Sequence, residues 1–408
     1  MSKRAFGRTS HLKNTQNADK RTHLIEIDAL RGLAILSVVG THLAGQWKHV
    51  PDVSGGASQL PFTVPILDVD ALDLIFFGGL GFAPVSSLGI YLFWLLSGYL
   101  LIGIEDQRMR RGTYSVRSYA RRRALRILPA FYVAILAILV LFRDTVSVEY
   151  VLLHLSFLYP ILNPITTGAL HTYWYLSVEM FNYLLLPFVV AMLPRWRQRL
   201  ALLGLLFVLS LGIQIYLIQN GLGIEYLDSR MPNLWFLSVV PTSLYLFIAG
   251  GLLRMMIERL DSQIEWRWRP LVASVLLLAS VSLYISPLLF VNHPSINILL
   301  GHGELIVIIF FASVMLGTPL LRGLLRWKPL VFIGVISYSI YLLESTMMGV
   351  MVGHILPHVR DWTTSEGTSL AAWAGFSAYA LGILIPVFIV SYVSYRYVES
   401  PFLQRKPS

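Results

Sequence analysis

The 408-residue sequence contains no cysteine. This excludes disulfides, thiolate metal sites and any covalent intermediate on a cysteine. Its ten histidines show no metal-ligand pattern such as HExxH, and no glycine-rich phosphate-binding loop is present. We therefore expect no bound metal ion, and any cofactor chemistry has to come from a diffusible donor.

Charge is also scarce. Charged residues make up 13% of the chain, hydrophobic residues 56%, and the mean hydropathy is +0.65. Apolar runs of about twenty residues, long enough to cross a bilayer as helices, recur along the sequence. These features predict an all-α, polytopic integral membrane protein. The spans and short loops use almost the whole length, so we expect no separate soluble domain.

The composition divides the chain into two parts. Residues 1–24 are polar and basic, do not resemble a cleavable signal peptide, and predict a flexible cytoplasmic tail. Residues 25–408 predict one transmembrane domain with about ten crossings. Hydropathy places these crossings near 29–47, 86–104, 127–142, 173–193, 200–219, 235–256, 270–290, 298–317, 330–352 and 371–397.

The basic residues predict how the helices are oriented. If both termini are cytoplasmic, the inner side holds every Lys and Arg except Lys48, Arg143, Arg230 and Arg360. This topology requires that the short apolar run 150–162 does not cross, so it predicts a re-entrant or interfacial helix there. The excess of basic residues on the inner side, which orients the helices, accounts for the net charge of +10. We therefore expect contacts with membrane lipids and no nucleic-acid partner.

Arg31 and His42 lie eleven residues apart in the first apolar segment. At 3.6 residues per turn they share one helix face and are separated by about 16 Å along the axis. Taken alone, Arg31 is explained as an anchor at the inner membrane interface. For His42, the alternative to a functional role is a structural histidine that is hydrogen-bonded in the protein interior. Because His42 lies too deep for casual hydration, we favour a functional role for it.

Three carboxylates lie at a depth similar to that of His42 in this topology: Glu179, Glu304 and Glu344. Buried ionisable groups need partners or water, so the four side chains together predict a shared polar cavity. Glu179 fits catalysis and structural bracing equally well. Glu304 has no motif around it, and we do not assign it to catalysis.

Six motifs follow one another along the chain. They are DALRG at 28–32 followed by His42, LFWLLSGYL at 92–100, RALRILP at 123–129, WYLSVE at 174–179, SYSIYL at 337–342 and YVESPF at 397–402. In this order they resemble acyltransferase family 3, membrane-embedded enzymes that transfer acyl groups from acyl-CoA to hydroxyls of carbohydrates and other acceptors. The resemblance covers most of the chain.

The resemblance implies a cytosolic acyl-CoA donor, with acetyl-CoA as the first expectation. Arg123 and Arg126 resemble the paired arginines of the family, at the start of a helix expected near Ile127, and their planar forks suit the CoA phosphates. A narrow pantetheine arm can then thread a protein-lined channel towards His42. Ser97 and Tyr99 complete the set of residues expected to bind the donor.

His42 is expected to act as general base towards the acceptor hydroxyl, with Glu179 orienting its ring or stabilising its cation. Arg31 and Tyr341 complete the predicted catalytic set, and Ser97, Tyr99 or Tyr341 would donate to the oxyanion. Direct transfer and an acylated His42 both stay open.

Trp174 and Glu344 are the expected acceptor contacts. Members of the family often carry histidine at the position of Glu344, so this departure leaves open whether the chain keeps the same acceptor contacts. The implied acceptors are carbohydrates, lipid-linked glycans or small hydroxylated molecules, and the implied location is a bacterial plasma membrane. The rival hypothesis is a transporter or flippase. The sequence has no convincing two-half repeat, which argues against this hypothesis.

Overall fold

The computed structural model describes residues 25–47, 63–64, 69–70, 85–142, 144, 146–158, 171–219, 232–263, 268–286, 303–366 and 369–404. The predicted tail, 1–24, lies outside these residues, so both it and the single-domain assignment stay predictions. The described residues are mostly helical, and their strands are one short antiparallel pair, β1 (Thr63–Val64) and β2 (Val69–Asp70). The prediction of an all-α fold is confirmed.

The helices follow the apolar runs of the sequence. They are α1 (Ile25–Trp47), α2 (Val85–Arg110), α3 (Val116–Leu141), α4 (Val148–Leu155), α5 (Trp174–Met192), α6 (Trp196–Gln219), α7 (Pro232–Gln263), α8 (Arg269–Ile285), α9 (Gly303–Met315), α10 (Arg322–Leu325), α11 (Lys328–Val335), α12 (Ser337–Glu366), α13 (Ser369–Ser394) and α14 (Ser400–Leu403). Short 3₁₀ turns precede α5 and α10, and a π-helical turn, Tyr395–Glu399, joins α13 to α14.

Seven of the described helices are long and apolar enough to cross a membrane, and counting each of two bent pairs as one span raises the number to nine. The chain is therefore a polytopic membrane protein, while the count of ten and the cytoplasmic termini stay predictions. The run 150–162 contains the eight-residue helix α4, which is too short to span. Residues 159–162 of that run lie outside the described part of the chain.

Two predicted crossings, 298–317 and 330–352, fall on helix pairs that are bent in the structure. Helix α9 ends in a Schellman motif, in which Gly317 adopts φ 81° and Thr318 N–H donates to Ser313 C=O at 3.3 Å. The chain then turns by 86° into the segment that includes α10. A second break at Ile336 sets α11 and α12 at 78° to each other. Hydropathy does not detect such bends because the residues on both sides are apolar.

The prediction that a helix begins near Ile127 is wrong. Helix α3 begins eleven residues earlier, at Val116, where the Ser115 side chain accepts a hydrogen bond from Ser118 N–H. The arginine-rich stretch that follows consists largely of strong helix formers. Pro129 therefore lies inside α3 and does not begin it. The arginines of the third motif project from a regular helix that continues into the apolar region.

Close helix contacts through small residues hold the bundle together. Gly98 of α2 lies directly against the backbone of Phe247 in α7, where a Cβ atom has no room. Gly334 of α11 lies in the same way against the backbone of Asp28 in α1. None of the residues from Glu26 to Trp47 is exposed. Helix α1 is therefore the enclosed helix of the described bundle.

Candidate active site

Arg31 and His42 both lie on the enclosed helix α1, and each side chain retains partial exposure. The exposed fraction is 24% for Arg31 and 33% for His42. No residue of α1 beyond Ile25 is exposed, so both side chains belong to a helix that is enclosed by its neighbours. Helix α1 is continuous over both positions, so the predicted separation of about 16 Å holds.

The His42 ring contacts Glu344 of α12. Nδ1 of His42 and Oε1 of Glu344 are 2.8 Å apart, and the Ser345 hydroxyl donates to the same oxygen at 2.7 Å. The Glu344 side chain has no exposed surface. With Glu344 ionised, Nδ1 carries the proton and Nε2 keeps a lone pair that can accept a proton. The geometry is that of a base oriented by a buried carboxylate.

This contact corrects the expectation that Glu179 orients the ring. The C-terminal half of α1 packs against α12 and α13 through an apolar cluster that includes Ile35, Val39 and Ile340. Glu344 follows Ile340 by one helical turn and so faces His42. The sequence predicted similar depths for these side chains, but it could not predict which helix lies next to α1 at that depth.

Glu179 belongs to a second cluster, built by α2 and α5. The Ser97 hydroxyl donates to Oε1 of Glu179 at 2.7 Å, and the Tyr183 hydroxyl donates to the same oxygen. Glu179 is buried, and Arg31 attracts its carboxylate. The catalytic role of Glu179 stays a prediction. Its hydrogen bond with Ser97 links α5 to α2 and is a bracing contact between these two helices.

Arg31, Arg123 and Arg126 come together at the opposite end of the site from His42. Arg126 interacts electrostatically with both of the others. Across the described residues, neither Arg123 nor Arg126 forms a hydrogen bond or an ion pair, and Arg31 reaches only Asp28, at 3.9 Å. By contrast, Arg122 donates to both oxygens of Glu105 at 3.1 Å.

These three residues, here called the arginine cluster, therefore hold guanidinium groups whose donors are almost unused by the described residues. Like charges held together in a half-buried site repel one another, and this repulsion is relieved when an anion binds. Planar guanidinium groups bind phosphate oxygens bidentately. The cluster is chemically suited to a ligand with several phosphates.

Three other predicted residues are engaged elsewhere. The Tyr341 hydroxyl donates to Thr172 C=O at 2.8 Å, so its proton is not available to an oxyanion in this geometry. The Tyr99 ring lies under Arg254, 5.2 Å from the guanidinium carbon, on the side of α7. Trp174 packs edge-on against Trp94, with ring centroids 6.5 Å apart. Their assigned roles stay predictions.

The four ionisable groups predicted to share one polar cavity form separate hydrogen-bonded groups among the described residues. His42 and Glu344 form one cluster and Glu179 another. Glu304 is buried at the start of α9 and interacts with Tyr91 of α2. Among the residues described, no group of three or more carboxylates and histidines is placed to hold a metal ion.

Sequence analysis missed several participants. Tyr183 lies four residues after Glu179, and this helical spacing was the available signal for their contact. Glu399 falls in the last motif, yet nothing in its local sequence pointed to the arginine cluster. In the structure Ser339 donates to Oε2 of Glu399 at 3.0 Å, and Arg126 and Arg31 attract the carboxylate.

The fold and site define a polytopic helical membrane protein with a histidine–carboxylate pair and an arginine cluster, each of which includes a side chain of the enclosed helix α1. The family model of acyltransferase family 3, described as an acyltransferase domain, matches residues 24–396. The chain therefore belongs to this family.

One curated relative is Nodulation protein 10 of Rhizobium leguminosarum bv. viciae, which is 26% identical over 208 residues. The match covers 46% of this chain and 49% of that protein, so the chain spans about half the length of the relative. No solved structure matches the chain.

Proposed function

We propose that this membrane protein is an acyltransferase that moves an acyl group from cytosolic acyl-CoA to a hydroxyl on the opposite side of a bacterial plasma membrane. Acetyl is the first candidate for the acyl group. The acceptor is a carbohydrate, a lipid-linked glycan or a small hydroxylated molecule. The observation that carries the proposal is the contact of His42 with Glu344. His42 lies on the same enclosed helix, α1, as Arg31.

The arginine cluster supplies the donor end of the proposal. The nucleotide part of acyl-CoA carries several phosphates, which stay in water at the mouth of the protein and meet the unused guanidinium donors of Arg123 and Arg126. The uncharged pantetheine arm is narrow enough to extend between the helices. Arg31 and His42 mark the beginning and the end of this path along α1, about 16 Å apart.

At the His42 end of the path, Nε2 of His42 accepts the proton of the acceptor hydroxyl. The hydroxyl oxygen attacks the thioester carbonyl at the same time. The resulting imidazolium lies beside the Glu344 carboxylate, which stabilises the new positive charge. The tetrahedral intermediate then collapses and the carbon–sulfur bond breaks. The imidazolium returns its proton to the departing thiolate, so that an ester and free CoA are the products.

An acylated His42 is the kinetic alternative, in which the ring nitrogen itself attacks the thioester and the acceptor follows. Incubation with radiolabelled acetyl-CoA in the absence of acceptor distinguishes the two routes. Label retained on the protein and lost from a His42→Ala variant supports the covalent route. Label that appears only when an acceptor is present supports direct transfer.

The proposal is tested with purified protein in detergent, labelled acetyl-CoA and a panel of hydroxylated acceptors. Mass spectrometry of envelope glycans and culture metabolites from a deletion strain supplies the acceptor candidates. His42→Ala is expected to abolish transfer, and His354→Ala, an exposed histidine on α12, is the matched control. If no acceptor is acylated while liposomes show coupled substrate flux, the transporter hypothesis replaces the proposal.

A further inference from the structure

The buried carboxylate of Glu399 lies at the arginine cluster but has no part in the chemistry proposed above. Only 3% of the residue is exposed. Its Oε2 accepts a hydrogen bond from Ser339 at 3.0 Å, and Arg126 and Arg31 attract it electrostatically. Among the described contacts, neither arginine pairs directly with it. Glu399 therefore adds negative charge near the cluster without occupying the guanidinium donors.

A π-helical turn carries Glu399 to this position. Tyr395–Glu399 continues α13 as a π-helix, in which Ser400 N–H donates to Tyr395 C=O, and the turn packs against α3. The extra residue of a π turn rotates the following side chains by about 100° relative to an uninterrupted α-helix. The irregular backbone thus determines which side of the helix carries the carboxylate.

A second carboxylate faces the same arginines from α1. Asp28 lies 3.9 Å from Arg31 and interacts electrostatically with Arg126 as well. Two negative charges beside the cluster reduce its repulsion in the empty site, and they also repel an incoming phosphate. A site with three arginines and no carboxylates would hold phosphates more tightly and release them more slowly.

We infer that Glu399 is a counter-charge that limits the affinity of the arginine cluster for the phosphates of CoA, so that the spent product leaves. This inference rests on the proposed function, because it takes CoA as the ligand. Glu399 is a residue that sets affinity and does not touch the reacting atoms. The sign of the expected effect is distinctive, since loss of a residue with only a structural role weakens ligand binding.

Glu399→Gln removes the charge and keeps a carbonyl oxygen as acceptor for Ser339. At an effective dielectric constant of about 20, one unit charge removed roughly 10 Å from a phosphate changes its affinity by about tenfold. The dissociation constant of CoA for the purified protein is therefore expected to fall by about tenfold. Pantetheine, which carries no phosphate, is expected to bind unchanged. Glu399→Asp keeps the charge and is expected to retain the wild-type affinity.

The dissociation constants are measured by titration calorimetry in detergent, with Glu258→Gln as the matched control. Glu258 also neighbours arginines, Arg254 and Arg110, but it lies outside the cluster, so CoA affinity should not change. Should Glu399→Gln not fold, Asp28→Asn provides the same test with the same expected sign. Unchanged or weaker CoA binding by the folded variant overturns the inference alone. Wild-type protein that binds no CoA overturns the proposed function as well.

Discussion

Replacement of Glu344 by Gln tests the histidine–carboxylate pair without changing side-chain size. In the native contact, Oε1 of Glu344 accepts from Nδ1 of His42 at 2.8 Å and from Ser345 at 2.7 Å. A glutamine amide can instead donate to Nδ1, which moves the ring proton to Nε2 and removes the base. The variant also loses the negative charge that stabilises the imidazolium.

The expected fall in kcat follows from the loss of the base and the loss of the negative charge. General base catalysis contributes about 10²–10⁴-fold, and the comparable Asp-to-Asn change in a serine protease costs about 10⁴-fold. The Glu344 side chain is fully buried, so water does not replace the lost charge. We expect kcat to fall by about 10³-fold, which corresponds to about 4 kcal/mol in the activation barrier.

The assay is steady-state acyl transfer by purified protein, with kcat and the KM for acetyl-CoA determined separately. The KM should stay within about twofold of wild type, because the arginine cluster lies about 16 Å away along α1. Ser345→Ala removes one neutral hydrogen bond to the same oxygen and should lower kcat by less than about tenfold. A folded Glu344→Gln protein with kcat within threefold of wild type would refute the reasoning.

Four further substitutions test the donor site and the fold. Arg123→Ala and Arg126→Ala should each raise the KM for acetyl-CoA by about tenfold or more with kcat retained, since each removes charge-assisted hydrogen bonds, whereas the exposed Arg121→Ala should not. Arg199→Met breaks a buried ion pair with N–O distances of 2.5 and 2.7 Å and should cost about 3–5 kcal/mol of stability, measured by thermal unfolding. Gly98→Ala forces a methyl group into the backbone of α7 and should reduce the yield of folded protein, measured by size-exclusion chromatography.

Each of these changes has a matched control or a contradictory outcome. Equal KM effects from the exposed and the half-buried arginines would show that general surface charge, and not the cluster, attracts the donor. Arg197→Ala removes an exposed arginine of the same helix and should leave the melting temperature unchanged. Gly204→Ala has open space around its Cβ position and should fold normally. An equally well-folded Gly98→Ala protein would contradict the close contact of α2 with α7.

The class of fold was predictable because a bilayer imposes length and hydropathy on each helix. The same constraint made Arg31 and His42 conspicuous, since ionisable side chains rarely enter apolar segments. The bend at Ile336 was not predictable, because it separates two segments of similar hydropathy. The start of α3 was misplaced because hydropathy reports where the apolar region begins, while arginines continue the helix beyond it.

The pairing of side chains was the least predictable part of the site. Glu179 and Glu344 lie at similar predicted depths, and either was compatible with a contact to His42. The packing of α12 against α1 selects Glu344, and this choice depends on helices more than 290 residues apart in sequence. Glu399 reaches the arginine cluster only through a π turn, for which the local sequence contains no recognised signal.

The central claim is that acyl-CoA binds from one side of the membrane, and that its acyl group is transferred at His42 to an acceptor on the other side. Sealed proteoliposomes with the arginine cluster facing outwards test it directly, with labelled acetyl-CoA added outside and an impermeant acceptor enclosed inside. The account predicts labelled acceptor in the lumen with wild-type protein and none with His42→Ala. Product formed only when donor and acceptor share one side would contradict it.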